Sequence, residues 1–442
     1  VVPADILLPV TSDTLGTAPS FALNAGALQI TLGTAPVISP AGLYDGTTTA
    51  GASSGINIAA APTGTLADAA ANNATTRSAT GFSPEALDIA GDDTPPSLLS
   101  ALLLDLDSDG RIDALTLTFD EPVRDSSFDP AQWTFSGNAA TAFDSLTTAD
   151  DDTVRLLYGP DDLPVDTSVA GAPIVFLNGT SVTDLYGNLL AAIADVGESD
   201  GAAPVVVSMN TADVNANGFI DAVHISFSEP VSDASVTAAD FDVAGIAGES
   251  FSSTTAGDTA DDADIYLSFT DGSLDTAQLP TVQYTAGTLT DPAANSLASY
   301  GPTAPADAAP PVVMSAVYTD GDTNGVDAGD LIDLSFSETL TTVAGVVSAD
   351  ILLPVTSDTL GTAPSFALNA GALRITLGTT PVISPAGLYD GTTTAGASSG
   401  INIAAAPTGT LADAAANNAT TRSATGFSPE ALDIAGDDTP PS

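Results

Sequence analysis

The sequence predicts an all-β chain, a tandem row of antiparallel β-sandwiches in an elongated array. Three observations predict it. Apolar and polar residues alternate over short segments, as in Leu115, Leu117 and Phe119, and no segment shows a 3.6-residue period. Acidic, proline-containing segments recur at Asp92–Pro96, Asp200–Pro204, Asp307–Pro311 and Asp437–Pro441. The first 97 residues return as the last 97, at a constant offset of 345, with only Pro3/Ser348, Gln29/Arg374 and Ala35/Thr380 differing. Fixed-period self-similarity marks an array whose units stack in a line.

These segments divide the chain into residues 1–94, 95–202, 203–309 and 310–442. Each of the last three modules opens with an apolar strand, expected over Leu98–Leu104, Val205–Met209 and Val312–Val317. An Asp/Asn/Gly loop comes next. A half-buried alternating strand follows, carrying Leu115/Leu117/Phe119, then Val223/Ile225/Phe227, then Ile332/Leu334/Phe336. Further strands are expected at Trp133/Phe135, Phe241/Val243 and Ile351/Leu353, and at Val154/Leu156/Tyr158, Ile265/Leu267/Phe269 and Leu373/Ile375/Leu377. Each module nears its end with Asp-x-x-x-Asn: Asp184/Asn188, Asp291/Asn295 and Asp413/Asn417. Short strands at even spacing in units of about 100 residues argue for sandwiches. Residues 1–94 lack the counterpart of Pro310–Gly345, so an apolar face with Ile6, Leu8, Leu28, Ile30 and Leu32 is expected to stand open. The off-frame repeat reads as a window on a longer repetitive protein.

Composition narrows the function. The 442 residues are 44% hydrophobic, enough for several cores. Asp and Glu number 56 against six Arg and no Lys, a net charge of −50. That charge excludes nucleic acid as a partner and argues against anionic membranes. It also makes the folded chain repel itself, which divalent cations or high salt relieve. There is no Cys, hence no disulfide or thiolate chemistry. No apolar run approaches the 18 residues of a membrane span, and Val1–Asp5 carries no signal-peptide pattern, which a mature secreted chain would have lost.

The Asp/Asn/Gly loops carry the specific chemistry. Asp105, Asp107 and Asp109 occupy positions 1, 3 and 5 of the first loop, Gly110 position 6, Arg111 position 7 and Asp113 position 9. The second has Asp213, Asn215, Asn217, Gly218, Phe219 and Asp221 at the same places. The third has Asp320, Asp322, Asn324, Gly325 and Val326, lacks an acid at position 9, and continues with Asp327, Asp330 and Asp333. Three oxygen-bearing side chains around one point, a sharp turn at glycine and a main-chain carbonyl at position 7 make a Ca2+ loop. Oxygen ligands without His or Cys favour calcium over transition metals. The bidentate Glu at position 12 is missing, so this is no EF-hand. Asp/Gly-rich connections also form ordinary turns.

The loops combine with Phe119-Asp120-Glu121-Pro122-Val123, with Phe227-Ser228-Glu229-Pro230-Val231, and with Val182-Thr183-Asp184-Leu185-Tyr186-Gly187-Asn188. This set resembles the bacterial Ig-like domains of surface-layer and large secreted surface proteins, over essentially the whole chain. The resemblance implies tandem Ig-like sandwiches with embedded calcium loops, at the cell surface or outside the cell. Phe336-Ser337-Glu338-Thr339-Leu340 and the late turns at Asp291 and Asp413 depart from the pattern, so no ligand role is expected of those turns.

The strand-end acids Glu121, Glu229 and Glu338 are expected to be solvated rather than ligands. His224 should face outward, without catalytic partners, and Trp133 should be core. Asn73, Asn178 and Asn418 stand in glycosylation sequons. No carboxylate pair is distinguished as catalytic and aromatics are only 5%, so no enzyme is expected. The reading is a calcium-stiffened segment of a fibre, stalk or adhesin shaft, with copies of itself or further repeats of the same chain as partners, and glycans as possible ones. The alternatives are a surface-layer lattice protein, a calcium-dependent carbohydrate-binding module, or an acidic chain adapted to high salt. With an odd strand count, each calcium loop should lie at the exit pole, beside Glu198 and Asp200 or beside Asp307.

Overall fold

The computed structural model describes residues 1–8, 14–24, 27–37, 57–59, 62–67, 71, 74, 94–159, 163–168, 175–176, 181–190, 197–270, 272–321, 325–353, 357–383, 388–389, 401–422 and 432–434. Among them there is no α-helix, only strands and 3-10 turns. Among the described residues no helix is long and apolar enough to cross a membrane.

In the first module, strands β1 (Ile6–Leu7), β2 (Ser20–Asn24), β3 (Ala27–Thr31) and β4 (Asn57–Ile58) form two two-stranded pieces, β1-β4 and β2-β3.

The second module contains β5 (Leu98–Leu104), β6 (Ala114–Phe119), β7 (Trp133–Phe135), β8 (Asn138–Ala139), β9 (Ala142–Asp144), β10 (Thr153–Leu157), β11 (Val175–Phe176) and β12 (Glu198–Asp200). A five-stranded sheet, β12-β5-β6-β10-β9, and a three-stranded sheet, β11-β7-β8, share one core. Leu103, Leu115, Leu117 and Leu156 from the larger sheet meet Trp133 and Phe135 from the smaller, which makes a sandwich. Trp133 is fully buried and stacks on Phe128, with ring centroids 5.8 Å apart.

The third module repeats the plan. Strands β13 (Val206–Ala212), β14 (Ala222–Phe227), β15 (Phe241–Val243), β16 (Ser250–Phe251), β17 (Asp264–Ser268), β18 (Val282–Tyr284) and β19 (Tyr300–Thr303) form sheets β13-β14-β17-β16 and β15-β18-β19. Val223, Ile225, Ile265 and Leu267 pack on Phe241, Val243 and Tyr284. His224, as expected, leaves the core: it stacks on Tyr266 at 4.4 Å, with Nε2 2.9 Å from Asp264 Oδ1.

In the last module β20 (Val313–Thr319), β21 (Leu331–Phe336), β22 (Thr342–Ala344), β23 (Ile351–Leu352), β24 (Ser365–Asn369), β25 (Ala372–Thr376), β26 (Leu388–Tyr389), β27 (Asn402–Ile403), β28 (Thr410–Ala412) and β29 (Leu432–Ile434) build a six-stranded sheet, β24-β25-β21-β20-β29-β26, and the pairs β22-β28 and β23-β27. One core again joins them, with Ile332, Leu334, Leu373 and Ile375 against Ile351, Ile403 and Leu411.

The sandwiches are mainly antiparallel, as expected, with a few parallel pairings added. The linker strand β12 pairs parallel to β5, and β29 pairs parallel to both β20 and β26. A parallel pairing arises because the chain leaving a module runs back alongside that module's own first strand. The same happens beyond β19, where Asn210 and Ala306 form a parallel bridge.

The near-copies occupy different surroundings. β2-β3 and β24-β25 have the same register, Ser20↔Thr31 matching Ser365↔Thr376. Yet Leu32 is 47% exposed, while its counterpart Leu377 is 3% exposed. Truncating a buried Leu to Ala costs about 2–5 kcal/mol, whereas an exposed substitution stays within about 0.5 kcal/mol. Leu377→Ala should therefore lower the unfolding midpoint of the last module, and Leu32→Ala should leave the first module's hydrogen-exchange protection nearly unchanged. Equal losses at both sites would contradict this burial difference.

Candidate metal centres at the module junctions

The first Asp/Asn/Gly loop is organised by its own carboxylates. Asp105 accepts hydrogen bonds from the Ser108 and Gly110 amides at 2.7 and 2.9 Å. Asp113 Oδ2 accepts from the Leu106 amide at 2.8 Å and the Asp107 amide at 3.3 Å. Asp109 Oδ1 accepts from the Arg111 amide at 2.9 Å, and the Arg111 guanidinium donates to the Leu163 carbonyl while its Nε stays 3.9 Å from Asp109 Oδ2. Oxygens of Asp105, Asp107 and Asp109 lie within 4.8 Å of one another. That all-oxygen donor set fits a hard divalent cation such as Ca2+.

The second loop has the same scaffold. Asp213 accepts from the Asn217 and Gly218 amides at 3.1 and 2.7 Å, and Asn217 Oδ1 from the Phe219 amide at 3.0 Å. Asp221 accepts from the Val214 amide at 2.7 Å and from Asn215 Nδ2 at 2.8 Å. In the third loop Asp322 and Asn324 lie outside the described residues. Asp320 accepts from the Gly325 amide at 3.1 Å, and Val326 packs against the core. Asp330 is 1% exposed and is spent bracing the loop: it accepts from Tyr318 OH at 2.5 Å and from the Gly321 and Asp327 amides. Asp333 forms a bidentate pair with Arg374, at 2.8 and 2.6 Å.

The loops sit against the next module. Gly110, at φ +85°, faces Ser228 and Val205 so closely that a Cβ would stand 3.3 Å from the Ser228 Cβ. Gly218, at φ +100°, faces Met314 and Ser337 in the same way. Position 6 therefore needs glycine twice over, for its left-handed backbone and for the contact.

Beside each of these contacts lies a group of three carboxylates that the loops do not include. Asp200 of the linker, Glu229 after β14 and Asp291 of the late turn bring oxygens within 4.8 Å of one another. Asp307, Glu338 and Asp413 repeat the arrangement one module later. Asp291 is held by the Asn295 amide and side chain, both at 2.8 Å, and Asn295 Nδ2 also reaches the Asp200 carbonyl at 3.4 Å. Asp413 and Asn417 do the same at 2.9 Å each, with Asn417 Nδ2 3.3 Å from the Asp307 carbonyl. The preceding module also contributes a threonine. Thr167 donates to Glu229 Oε1 at 2.6 Å and lies 2.7 Å from Ser228 Oγ, and Thr276 donates to Ser337 Oγ at 2.7 Å. In the second group Glu338 Oε1 and Asp307 Oδ1 are sealed from solvent and accept no hydrogen bond.

One sequence expectation is overturned here. Glu229 is 2% exposed rather than solvated, because Thr167 of the preceding module caps it. Glu338 is half-buried beside Asp307 and Asp413. The late turns, from which no ligand role was expected, place Asp291 and Asp413 within these groups at 1% and 3% exposure. The linker strand β12 runs beside β5, the strand that leads into the first Asp/Asn/Gly loop. Asp200, however, groups with the next module's acids rather than with Asp105–Asp113. Thr167 and Thr276 escaped the sequence reading. A lone threonine in a loop carries no signal until the module that receives it is known. Of the sequons, Asn418 is described, while Asn73 and Asn178 lie outside the described residues.

Burial pushes the Glu229 carboxyl up to about 8, with the Thr167 hydrogen bond opposing and the charges of Asp200 and Asp291 adding to the rise. Burial pushes Glu338 up to about 8 as well, opposed by Thr276 and reinforced by Asp307 and Asp413. Asp200 and Asp307 are raised too, again chiefly by burial. Carboxylates packed this way hold either protons or a cation.

No family model matches the chain and no curated protein matches it by sequence. Among solved structures it is similar to the S-layer protein rSbsC at 10% identity, over 74% of this chain and 59% of that one, with a TM-score of 0.19. An I-band fragment of titin matches at 10% identity over 67% of this chain and 92% of that one, with a TM-score of 0.18. A Bacteroides ovatus mixed-linkage glucan utilization protein, in complex with a heptasaccharide, matches at 12% identity over 63% and 74%, also with a TM-score of 0.18. Overlaps this low carry no argument about fold or function, and the sandwich assignment rests on the sheets and cores themselves.

The raised carboxyls set the sign of a pH effect. A carboxyl that binds its proton more tightly in the folded state contributes stability below its unfolded value of 4.5, and that contribution is lost as pH rises toward about 8. In chelator and low salt, the melting temperature of the third and last modules should fall as pH rises from about 5 to about 8. A melting temperature that climbs over this interval would contradict the junction electrostatics.

Proposed function

We propose that this chain is a load-bearing segment of an extracellular or cell-surface array, with divalent cations, calcium foremost, stiffening the modules and locking their junctions. The observation that carries this reading is the repeated junction. A linker acid, a threonine and a glycine loop from one module meet the strand-end Glu and late-turn Asp of the next, at Asp200/Glu229/Asp291 and again at Asp307/Glu338/Asp413. A binding or catalytic module has no need to repeat such a contact. A shaft does, because its stiffness is set at every joint. The net charge of −50 supports the same reading, since cations at buried acids reduce self-repulsion where it is greatest. The loop residues Asp105, Asp107, Asp109 and Asp113, with Asp213, Asn215, Asn217 and Asp221, would hold one class of ion, with the Arg111 and Phe219 carbonyls completing the shell. The junction carboxylates would hold a second. Neighbouring repeats are the partners.

Calcium at a hundred-fold excess over Kd adds about 2.7 kcal/mol to a folded state that alone binds it. For a domain of this size that raises the melting temperature by roughly 10–20 °C. Differential scanning calorimetry with calcium and then with chelator should show this rise, and unchanged melting at low salt would sink the proposal. Asp107→Ala should reduce the calcium response of the second module alone. Glu229→Gln separates the junction from the loops by its sign. In chelator above about pH 8, where the carboxyl is charged, it removes a buried charge and should stabilise by about 1–3 kcal/mol, and in calcium it removes a ligand and should destabilise by a similar amount. A variant with the same sign in both media would show that no cation sits at the junction.

A further inference from the structure

The chain has two methionines, and they stand in different surroundings. Met209 is 6% exposed and belongs to the core of the third module. Met314 is only partly buried and lies at the joint between the third and last modules. The backbone puts it there. β20 pairs with β21 through Val313↔Phe336 and then Ser315↔Ser335, so Met314 is the extra residue of a β-bulge. Arg422 Nη1 donates to its carbonyl at 3.3 Å and to the Val313 carbonyl at 3.0 Å. The thioether lies over Gly218 of the second Asp/Asn/Gly loop, where a Cβ would overlap Sδ and stand 3.2 Å from Cε.

The joint between the second and third modules follows the same plan without sulfur. A bulge falls at the matching place, Val206↔Phe227 followed by Ser208↔Ser226, with Val207 as its extra residue at 49% exposure. Gly110 there meets carbons of Ser228, Val165 and Val205, at 3.3, 3.4 and 3.8 Å from the position of a Cβ. The hydroxyl contact across the joint is common to both, Thr167 with Ser228 and Thr276 with Ser337, at 2.7 Å each. The two joints therefore differ in what packs over the glycine. It is aliphatic and inert in one, a thioether in the other. Peroxides oxidise a thioether to a sulfoxide, which turns a flexible apolar side chain into a polar one.

We propose that Met314 is an oxidation site, at which hydrogen peroxide releases the joint between the third and last modules and leaves the joint before it closed. The Sδ lone pair attacks one peroxide oxygen, an S–O bond forms, the O–O bond breaks, and the other oxygen leaves as water. Sulfur gives up two electrons and the peroxide takes them. The added oxygen is polar, and it arrives where the packing over Gly218 has no room even for a Cβ. The glycine loop must then draw back. Phe219 bridges Asp275, so Gly218 and Thr276 move together and the Thr276–Ser337 hydrogen bond is lost with the contact. Methionine sulfoxide reductases, one for each epimer, reverse the step. The inference goes beyond the cation reading, because the contact of Met314 with Gly218 contains no carboxylate.

The test uses the whole 442-residue chain, which has no Cys, so introduced cysteines take nitroxide labels cleanly. Ala247→Cys with Ala367→Cys spans the joint in question, and Ala139→Cys with Ala247→Cys spans the one before it; all three alanines are exposed. After graded hydrogen peroxide, peptide mass mapping should find Met314 as sulfoxide several-fold ahead of Met209. The distance distribution from double electron–electron resonance should broaden roughly twofold across the third–last joint and stay unchanged across the other. Met314→Leu, a volume-conserving swap without sulfur, should keep its distribution before and after peroxide. Met314→Gln should broaden it without oxidant. The measurement is made in calcium and repeated in chelator, so a missing cation response leaves it readable. The proposal is overturned if Met209 oxidises first, if peroxide broadens both joints alike or broadens the Met314→Leu chain equally, or if sulfoxide at Met314 leaves the distribution unchanged in both media.

Discussion

Negative charge that cannot be left bare is the constraint on which the rest of the molecule depends. Fifty-six acids face six arginines, so ion pairing with protein cations satisfies only a few of them. Main-chain amides do most of the work. Asp184, fully buried, takes the amides of Tyr186, Gly187 and Asn188. Asp5 and Asp350 take amides from a distant turn, and Asp291 and Asp413 take both the amide and the side chain of their Asn. Such carboxylates act as staples, each closing a turn and removing its own desolvation cost with oriented dipoles. Glu229 and Glu338 depart furthest from this pattern. They stand among other carboxylates with threonines for support, and their raised carboxyls record that imbalance.

Both imbalances fall at joints, and this links charge to mechanics. The residues that cap Glu229 and Ser228 belong to the preceding module, as does the loop whose Gly110 fits against Ser228. The linker is meanwhile zipped to its own module, through β12 on β5 and through the Thr211 amide to the Ala306 carbonyl at 2.9 Å. Whatever neutralises the buried acids therefore acts across a module boundary. In a chain whose units touch only their neighbours, local charge control of this kind sets the bending stiffness of the whole.

Strands were the legible part of the fold. β5 runs over Leu98–Leu104 as the sequence reading has it, and β6, β14 and β21 carry the alternating triplets, because period-two burial is written into residue order. Parallel pairings were not legible, since they depend on where a linker returns. The Asp/Asn/Gly loops could be found because their oxygen-bearing side chains lie close together in sequence. The junction acids could not be assembled, because their members are separated by a module's length and converge only when two modules are docked. Exposure followed the same rule. A Glu at a strand end is solvated by default, and only a threonine from another module makes Glu229 an interior residue.

The near-copies show which substitutions carry meaning when a segment is duplicated. Pro3 and Ser348 both open a three-residue 3-10 turn, where a fixed φ suits the first position and serine serves equally well. Ala35 and Thr380 sit in exposed turns at φ +53° and +52°, and nothing in the structure explains why the β-branched residue is accepted in one of them. Gln29 and Arg374 stand at the same place on β3 and β25, and among the described residues β25 also pairs with β21. An arginine there is matched to the aspartate that arrives on β21. A glutamine in the same place carries no charge and needs no acid opposite it. Identity of a strand's sequence thus fixes its register and its apolar face, while a polar residue on it can be matched to the neighbouring strand, as Arg374 is to Asp333.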